Sequence, residues 1–403
     1  MANHIPFVNS DSDCKMLRSY FPDSEIVRVP LNLGKDSWSR LPRRMGRWVD
    51  PAIDGLHYLV QAREQDKPKW REARDKKWQR WLGQFVDVEA ISDPRFVEKP
   101  DKSTVHTFVR RILDECATKS PRWISVPQLP HAEGTGRNRI NRMMADATAT
   151  WYSDSPFSGR LVVPAILTHQ DQLSTKVART ARIKASASSF QRAKAHGIWI
   201  VDQSLNDSKG SNVLRNTWLP NLVSLHEELL KALPHAEILV GGPYWAINLV
   251  VWARGLITRP GISLGTSYRY YASGGIYSGP PSVRVAIPPI RQRVRVGPEL
   301  GRWLDKAIGV DALDNRVRDE LRSLRHRLPS LNDRLVAQRQ VADFYRKWLD
   351  TLASVPRAGR AMALYQDFST AYVVGRMLPQ LPRAEGTARH RGRVAETFML
   401  SCL

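Results

Sequence analysis

The middle third of the sequence alternates short apolar runs with longer amphipathic segments, and this alternation most narrows the folds available to the chain. Four runs begin at Trp123, Leu161, Ile198 and Glu237, so their starts lie 38, 37 and 39 residues apart; a fifth begins 24 residues later, at Gly261. Each run has the length of a buried strand, and each intervening segment can form a helix that crosses back over a sheet. The spacing predicts successive βα units around parallel strands.

Three weaker apolar runs flank these five. The five central runs cover residues 123–129, 161–167, 198–202, 237–242 and 261–265, and the flanking runs cover residues 25–31, 56–60 and 282–287. Together they make eight, which is the number of strands that a closed (β/α) barrel requires. The sequence therefore favours a barrel-like α/β core of parallel strands. An open doubly wound sheet is the alternative, because it accounts for the central runs equally well.

Three regions follow from these patterns. Residues 1–120 are expected to hold a basic, Trp-rich helix and the first strands, residues 121–297 the α/β core, and residues 298–403 a basic helical region. The Trp-rich helix is predicted within residues 61–86, where apolar side chains recur at helical spacing. These side chains are Trp78, Trp81, Leu82 and Phe85.

The net charge of the chain is strongly positive. Lys and Arg number 61 against 39 Asp and Glu, a formal net charge of +22. The excess is +4 over residues 1–120, +8 over residues 121–281 and +10 over residues 282–403, so it is not confined to one tail. A folded surface of this kind attracts polyanions, because neutralising phosphates releases condensed counterions. The charge predicts nucleic acid, DNA or RNA, as the partner, with docking on another protein subunit as the alternative.

Several classes of protein are disfavoured by what the sequence lacks. It has no recognisable secretory signal and no apolar stretch of about 20 residues, so no membrane association is expected. Cys14, Cys116 and Cys402 are too scattered for a disulfide framework or a Cys-rich zinc site, and a cytoplasmic location is the simplest expectation. No motif implies a cofactor or a metal site.

Two strand ends carry candidate catalytic residues. Asp202 comes directly after the apolar run 198–201, at the end of the strand where the site of an α/β fold is built, and it could act as a nucleophile or general base. A loop-capping role is its structural alternative. His169 and Asp171 follow the run 161–167 at the corresponding place. His169 could move protons near neutral pH with Asp171 assisting, although a lone histidine can equally be structural.

Two further strand ends carry candidate substrate-binding residues. Gly241 and Gly242 permit close approach of backbone to a ligand, Tyr244 could stack on a ring, and Asn248 could hydrogen-bond a base edge. Tyr268 lies in a Tyr-rich segment that also contains arginine, a composition typical of contacts with single-stranded nucleic acid. Core packing of the aromatic rings is the competing interpretation.

The segment 134–142 has the composition of a phosphate-contacting loop. Gly134 precedes a predicted helix, and Arg137, Arg139 and Arg142 supply guanidinium donors. The segment lacks the third glycine of a dinucleotide fingerprint and the Gly-Lys-Ser/Thr of a P-loop. It therefore indicates phosphate contact without indicating NAD or ATP, and solvated arginines on a loop remain the alternative.

These observations lead to a hypothesis of function with two alternatives. The favoured hypothesis is a nucleic-acid-acting enzyme with base-directed or glycosidic-bond chemistry, because the core loops lack the grouped carboxylates that hold metal ions in nucleases. The first alternative is a non-catalytic nucleic-acid-binding subunit of a larger assembly. The second is a barrel enzyme that acts on a small phosphorylated substrate.

Overall fold

A computed structural model describes most of the chain. It covers residues 4–51, 53, 56, 80–87, 90, 96, 99–130, 135–167, 171–202, 218–264, 283–381 and 393–402.

Eight parallel strands close into a barrel in the order in which they occur along the chain. The strands are β1 (Ile5–Phe7), β2 (Ile26–Pro30), β3 (Gly46–Asp50), β4 (Trp123–Ser125), β5 (Arg160–Leu167), β6 (Gly197–Asp202), β7 (Ile238–Gly241) and β8 (Arg259–Ser263). The barrel closes where β8 pairs with β1, with Ile5 opposite Gly261 and Phe7 opposite Ser263. The parallel barrel predicted from the eight-strand count is confirmed, and the open-sheet alternative is not what the chain forms.

Helices cover the outside of the barrel between the strands. They are α1 (Asp11–Tyr20), α2 (Lys35–Ser39), α3 (Lys102–Ala117), α4 (Thr135–Asp154), α5 (Asp171–Ser174), α6 (Lys176–Arg192), α7 (Trp218–Ala232) and α8 (Ala246–Ala253). Side-chain oxygens cap several first turns: Ser10 accepts from the Asp13 N–H, Asp101 from the Thr104 N–H and Thr175 from the Ala178 N–H. α8 is buried along its whole length, as its uniformly apolar sequence predicts.

Six of the predicted runs coincide with barrel strands. The five central runs contain or overlap β4 to β8, and the run 25–31 contains β2. The run at Ile198 shows why: the side chains from Ile198 to Val201 are all fully or almost fully buried. Strands packed against helices outside and side chains inside have no polar face, so they appear as continuous apolar stretches.

Two of the eight strands come from other places than expected. The run 282–287 was expected in the barrel, but β9 (Arg284–Ile287) pairs antiparallel with β10 (Gln292–Arg295) in a separate two-stranded sheet. The run 56–60 lies outside the described residues except for Leu56, which is helical. The barrel is completed instead by β1 and β3, which the sequence pattern did not identify. The barrel therefore takes strands from both sides of residue 121, and the division at residues 120 and 297 stays a prediction.

The C-terminal region is helical, as predicted. It contains α9 (Pro298–Ile308), α10 (Asn315–Arg327), α11 (Arg334–Ser354), α12 (Arg360–Met377) and α13 (Arg393–Ser401). A core of its own lies between β9, α9 and α10 and includes Trp303, Leu304 and Leu321. α11 also packs on the barrel layer, where the Tyr345 hydroxyl donates to the Trp245 carbonyl oxygen over 3.1 Å.

Part of the predicted Trp-rich helix is described. Leu82 and Phe85 are buried, and the rings of Trp81 and Phe85 meet edge to face with centroids 5.2 Å apart. The burial of these side chains agrees with the predicted apolar face, but the helix ends at Leu82 and residues 83–85 form a turn, so the predicted extent to residue 86 is wrong. Trp78 lies outside the described residues. No helix within the described ranges has the length and hydropathy to cross a membrane.

Candidate functional site at the barrel mouth

The carboxyl ends of all eight strands meet at one end of the barrel, here called the barrel mouth. Loops that follow parallel strands gather at this end, and active sites of (β/α)8 enzymes are built there. Among the described residues, those predicted from strand ends therefore lie at the same end of the barrel. What each of them contacts decides how it can act.

Asp202 is the last residue of β6, and it is 3% exposed. Its backbone N–H donates to the hydroxyl oxygen of Tyr244, which comes just after β7 on the neighbouring strand. The sequence placed Asp202 at the carboxyl end of a buried strand, and this position is confirmed. A carboxylate enclosed at a strand end could accept a proton or attack an electrophile.

The turn after β7 is held by packing contacts. Gly242 has φ of +87°, and a Cβ atom there would overlap the Asn248 side-chain amide, so glycine is required at this position. Asn248 is fully buried and donates to the Gly261 carbonyl oxygen. Gly241 pairs with β6 and β8. These contacts hold β7 and β8 together. They are the contacts expected if the residues of this turn serve core packing.

The aromatic residues of this turn are enclosed as well. Tyr244 is 1% exposed and its hydroxyl accepts from Asp202. Trp245 stacks on Phe344 with ring centroids 5.8 Å apart, and its indole N–H donates to the Arg291 carbonyl oxygen over 2.9 Å. Ring binding by Tyr244 and Asn248 stays a prediction, and the contacts of both are those of packing residues.

The predicted arginines divide between the interior and the surface of α4. Arg137 is buried and its guanidinium lies 3.5 Å from the Pro130 carbonyl oxygen. Arg139 and Arg142 are exposed. Because α4 follows β4, its first turns lie at the barrel mouth, and both exposed arginines are placed on that side of the barrel.

Of the other predicted site residues, two lie outside the described residues, and the third is described by its backbone only. His169 and Tyr268 lie outside the described residues. Asp171 is the first residue of α5, directly after the segment that follows β5, and the structure gives its backbone position only. The predicted pairing of His169 with Asp171 stays a prediction.

The sequence analysis missed a buried ion pair at the mouth. The Arg28 guanidinium of β2 donates from both Nε and Nη2 to Oδ2 of Asp50, the last residue of β3, with 3.0 Å for the Nε bond. Nη1 donates to Oδ1 of Asn9, beyond β1, over 2.9 Å. Both charged side chains are at least nine-tenths buried. Burying two charges costs several kcal/mol per ion before their attraction is counted, so such a pair is unusual in a strand core.

Aromatic rings surround this pair inside the barrel. The Arg28 guanidinium lies 5.3 Å from the ring centroids of both Phe7 and Trp199. Phe7, Trp48 and Trp199 contact one another edge to face, with centroids 5.3–5.7 Å apart. These residues come from strands that are not neighbours, so their contacts run across the barrel interior. The interior is a packed aromatic layer against which the Arg28 guanidinium lies.

Hydrogen bonds connect the ion pair to the C-terminal helices. The Asn9 N–H donates to Oδ2 of Asp13 over 2.8 Å, and Gln338 on α11 donates to Oδ1 of the same carboxylate over 3.1 Å. Gln338 also donates to the Leu264 carbonyl oxygen just after β8. Burial raises the pKa of Asp13 above its usual range, and these hydrogen bonds lower it only in part. The chain of contacts runs from β3 to α11 through residues that follow β1.

The mouth therefore carries two enclosed carboxylates from different strands, Asp50 and Asp202. The signal that identified Asp202 is also present at Asp50, since Trp48-Val49-Asp50 is an apolar run that ends in aspartate. That run is too short to separate a strand from a loop by pattern. Among the residues that the structure describes, no group of three or more His, Cys, Asp or Glu side chains could hold a metal ion.

A cavity of about 680 Å³ lies between the C-terminal helices and the segment that follows β9, and its lining residues Arg291 and Phe344 contact Trp245 in the turn after β7. It is lined by α10, α11 and α12, and none of the predicted site residues lines it.

No protein-family model matches the sequence, and no similar curated protein was found.

Proposed function

We propose that this protein is an enzyme that acts on nucleic acid, with its reaction at the barrel mouth. The observation that carries the proposal is the combination of enclosed carboxylates and free cations at this end of the barrel. Arg139 and Arg142 on α4 and Lys176 at the start of α6 are exposed, and none of the three forms an ion pair within the described ranges. Unpaired guanidinium and ammonium groups are the usual partners of backbone phosphates.

The chemistry that best suits the mouth is directed at a base or at its glycosidic bond. In that reaction Asp202 acts as a nucleophile at C1′ or as a general base for the attacking water. The bond between C1′ and the base nitrogen breaks, the base leaves with the electron pair, and an acid returns a proton to it. His169 is our candidate for that acid. The net +22 charge is expected to hold the phosphates near these groups.

One alternative function has its own observation. Tyr244 and Asn248 are buried and hydrogen-bonded to neighbouring strands, so both residues predicted to recognise a base at this turn are engaged in the core. This favours a nucleic-acid-binding subunit without catalysis, which needs the exposed cations but no convergent side chains. The two functions differ in their effect on bound nucleic acid. The enzyme changes it chemically through a carboxylate at the mouth, whereas the binding subunit leaves it unchanged.

The test is a product analysis with an Asp202→Asn variant. Single-stranded and duplex DNA and RNA oligonucleotides are incubated with the protein, and free bases and nucleosides are quantified by mass spectrometry. We expect base release or a changed nucleoside with wild-type protein, and a loss of at least about 100-fold with Asp202→Asn, the usual effect of removing a catalytic acid or base.

Asp154→Asn is the matched control, because Asp154 is exposed at the other end of α4. It should retain wild-type activity, and both variants should melt within a few degrees of wild type. Oligonucleotides that are bound but chemically unchanged by wild-type protein would reject the enzyme and leave the binding subunit. Activity retained in a destabilised Asp202→Asn variant would assign Asp202 to loop capping.

A further inference from the structure

A second concave surface, here called the arginine pocket, lies at the opposite end of the barrel from the mouth. It occupies about 340 Å³, within the range of small-ligand sites. Three arginines line it: Arg18 in the last turn of α1, and Arg43 and Arg44 just before β3. Both segments lead into the amino ends of barrel strands, which fixes the pocket at that end.

The charge in this pocket is unbalanced. No carboxylate side chain lines it, and Arg18, Arg43 and Arg44 form no ion pair within the described part of the chain. Neighbouring Arg40 differs, since it pairs with Asp11. The end of α1 adds about half a negative charge, which is small against three guanidinium groups. Like charges gathered without a counterion repel one another, so the site is suited to an external anion.

The walls of the pocket define the kind of anion. Arg44 donates to the Pro22 carbonyl oxygen over 3.1 Å, which anchors one guanidinium at the edge. Ser39 donates its hydroxyl proton to the Asp36 carbonyl oxygen, so the arginines are the main donors toward a ligand. Pro22, Pro42 and Leu41 supply apolar surface beside them. Planar guanidinium groups match the oxygens of phosphate, and the apolar walls suit the sugar that a phosphate ester carries.

We infer that the arginine pocket binds a phosphate group of nucleic acid, as a second contact remote from the barrel mouth. The inference rests on the proposed function. The arginine pocket lies on a different face of the barrel from the mouth, and phosphate contacts at the mouth do not depend on it.

The test compares two variants that remove the same charge. Arg18→Ala with Arg43→Ala empties the pocket of two cations. Arg110→Ala with Arg111→Ala removes two exposed, unpaired arginines from α3 and serves as the control. Binding of a fluorescent single-stranded oligonucleotide is titrated between about 50 and 200 mM salt. We expect the pocket variant to bind at least 10-fold more weakly than the control at the lower salt concentration. The slope of log affinity against log salt concentration should also be smaller in magnitude by about one in the pocket variant than in the control.

Each outcome decides the inference. Equal affinities of the two variants, with wild-type binding intact, would overturn the arginine pocket and leave the proposed function standing. If wild-type protein binds no oligonucleotide, the proposed function fails, and inorganic pyrophosphate then tests the pocket through thermal stabilisation. Stabilisation that is lost in the pocket variant and kept in the control would support a phosphate site, and its absence in wild type would reject the site.

Discussion

At the scale of single residues, His226 shows how burial sets a protonation state. It lies on α7, is fully buried, and its Nδ1 is 2.8 Å from the Leu222 carbonyl oxygen. Its Nε2 has no hydrogen-bond partner in the described structure. Burial lowers the pKa of His226 to about 4, because the imidazolium would lose its hydration without gaining a counterion. The folded chain therefore holds this histidine neutral.

This gives a prediction for stability against pH. The unfolded chain takes up a proton at His226 below about pH 6.5, whereas the folded chain does so only near pH 4. The contribution to stability is complete above pH 6.5 and is lost as pH falls toward 4, by roughly 3 kcal/mol in total. Urea unfolding of His226→Leu between pH 7.5 and 4.5 should show a smaller loss than wild type.

His326→Leu is the control for that comparison, because His326 is exposed on α10 and keeps its contact with water when the chain folds. It should follow the wild-type curve. A His226→Leu variant that loses as much stability toward acid as wild type would contradict the assignment of acid sensitivity to this residue.

The residue scale also shows what the sequence could reveal about the site. Asp202 follows four apolar residues, enough to identify a strand and its end. Arg28 sits within an apolar run, where a charged residue is expected to face solvent, and only barrel closure brings Trp199 and Asp50 around it. Contacts between strands that are distant in sequence leave no mark in the residues around either partner. The Arg28–Asp50 pair therefore could not be predicted from the pattern of apolar and polar residues.

At the scale of elements, the Arg28–Asp50 pair joins β2 to β3 and, through Asn9, to the end of β1. Asp50→Ala would leave a guanidinium buried without its carboxylate. We expect this to destabilise the fold by about 3–5 kcal/mol, the usual cost of an uncompensated buried charge. Urea denaturation of the purified variant measures the effect.

Asp11→Ala is the contrasting control, since it removes the partner of Arg40 from a pair that is nearly half exposed. Exposed pairs contribute about 1 kcal/mol or less. The double variant Arg28→Met with Asp50→Ala should recover part of the lost stability, because no charge then remains buried. Equal losses of unfolding free energy in Asp50→Ala and Asp11→Ala would show that the buried pair contributes no more to stability than the exposed pair.

The elements that the sequence identified are those with long, fully apolar runs. β1 has three residues, and β3 offers only Trp48 and Val49 before its aspartate, so neither run exceeds what a loop can contain. The run 282–287 has the composition of a strand, yet it is followed by Pro288 and Pro289 and then by β10. Its partner is thus the next strand in the chain, a choice that strand composition alone does not determine.

At the scale of the whole molecule, the chain combines an eight-stranded parallel barrel with a C-terminal helical region. The count of apolar runs predicted the barrel correctly although only six of the eight runs became its strands. Spacing along the chain identifies βα units, and closure then requires eight strands wherever they originate. The proposed function rests on a different property, the +22 net charge, which is independent of the fold.

The measurement that tests the central claim most directly is the salt dependence of oligonucleotide binding by the wild-type protein. Fluorescence anisotropy with a labelled single strand is followed from about 50 to 200 mM salt. A protein that neutralises about six phosphates should lose on the order of 100-fold or more in affinity over this range. Absence of binding at the lowest salt concentration, or an affinity that does not change with salt, would contradict a nucleic-acid partner.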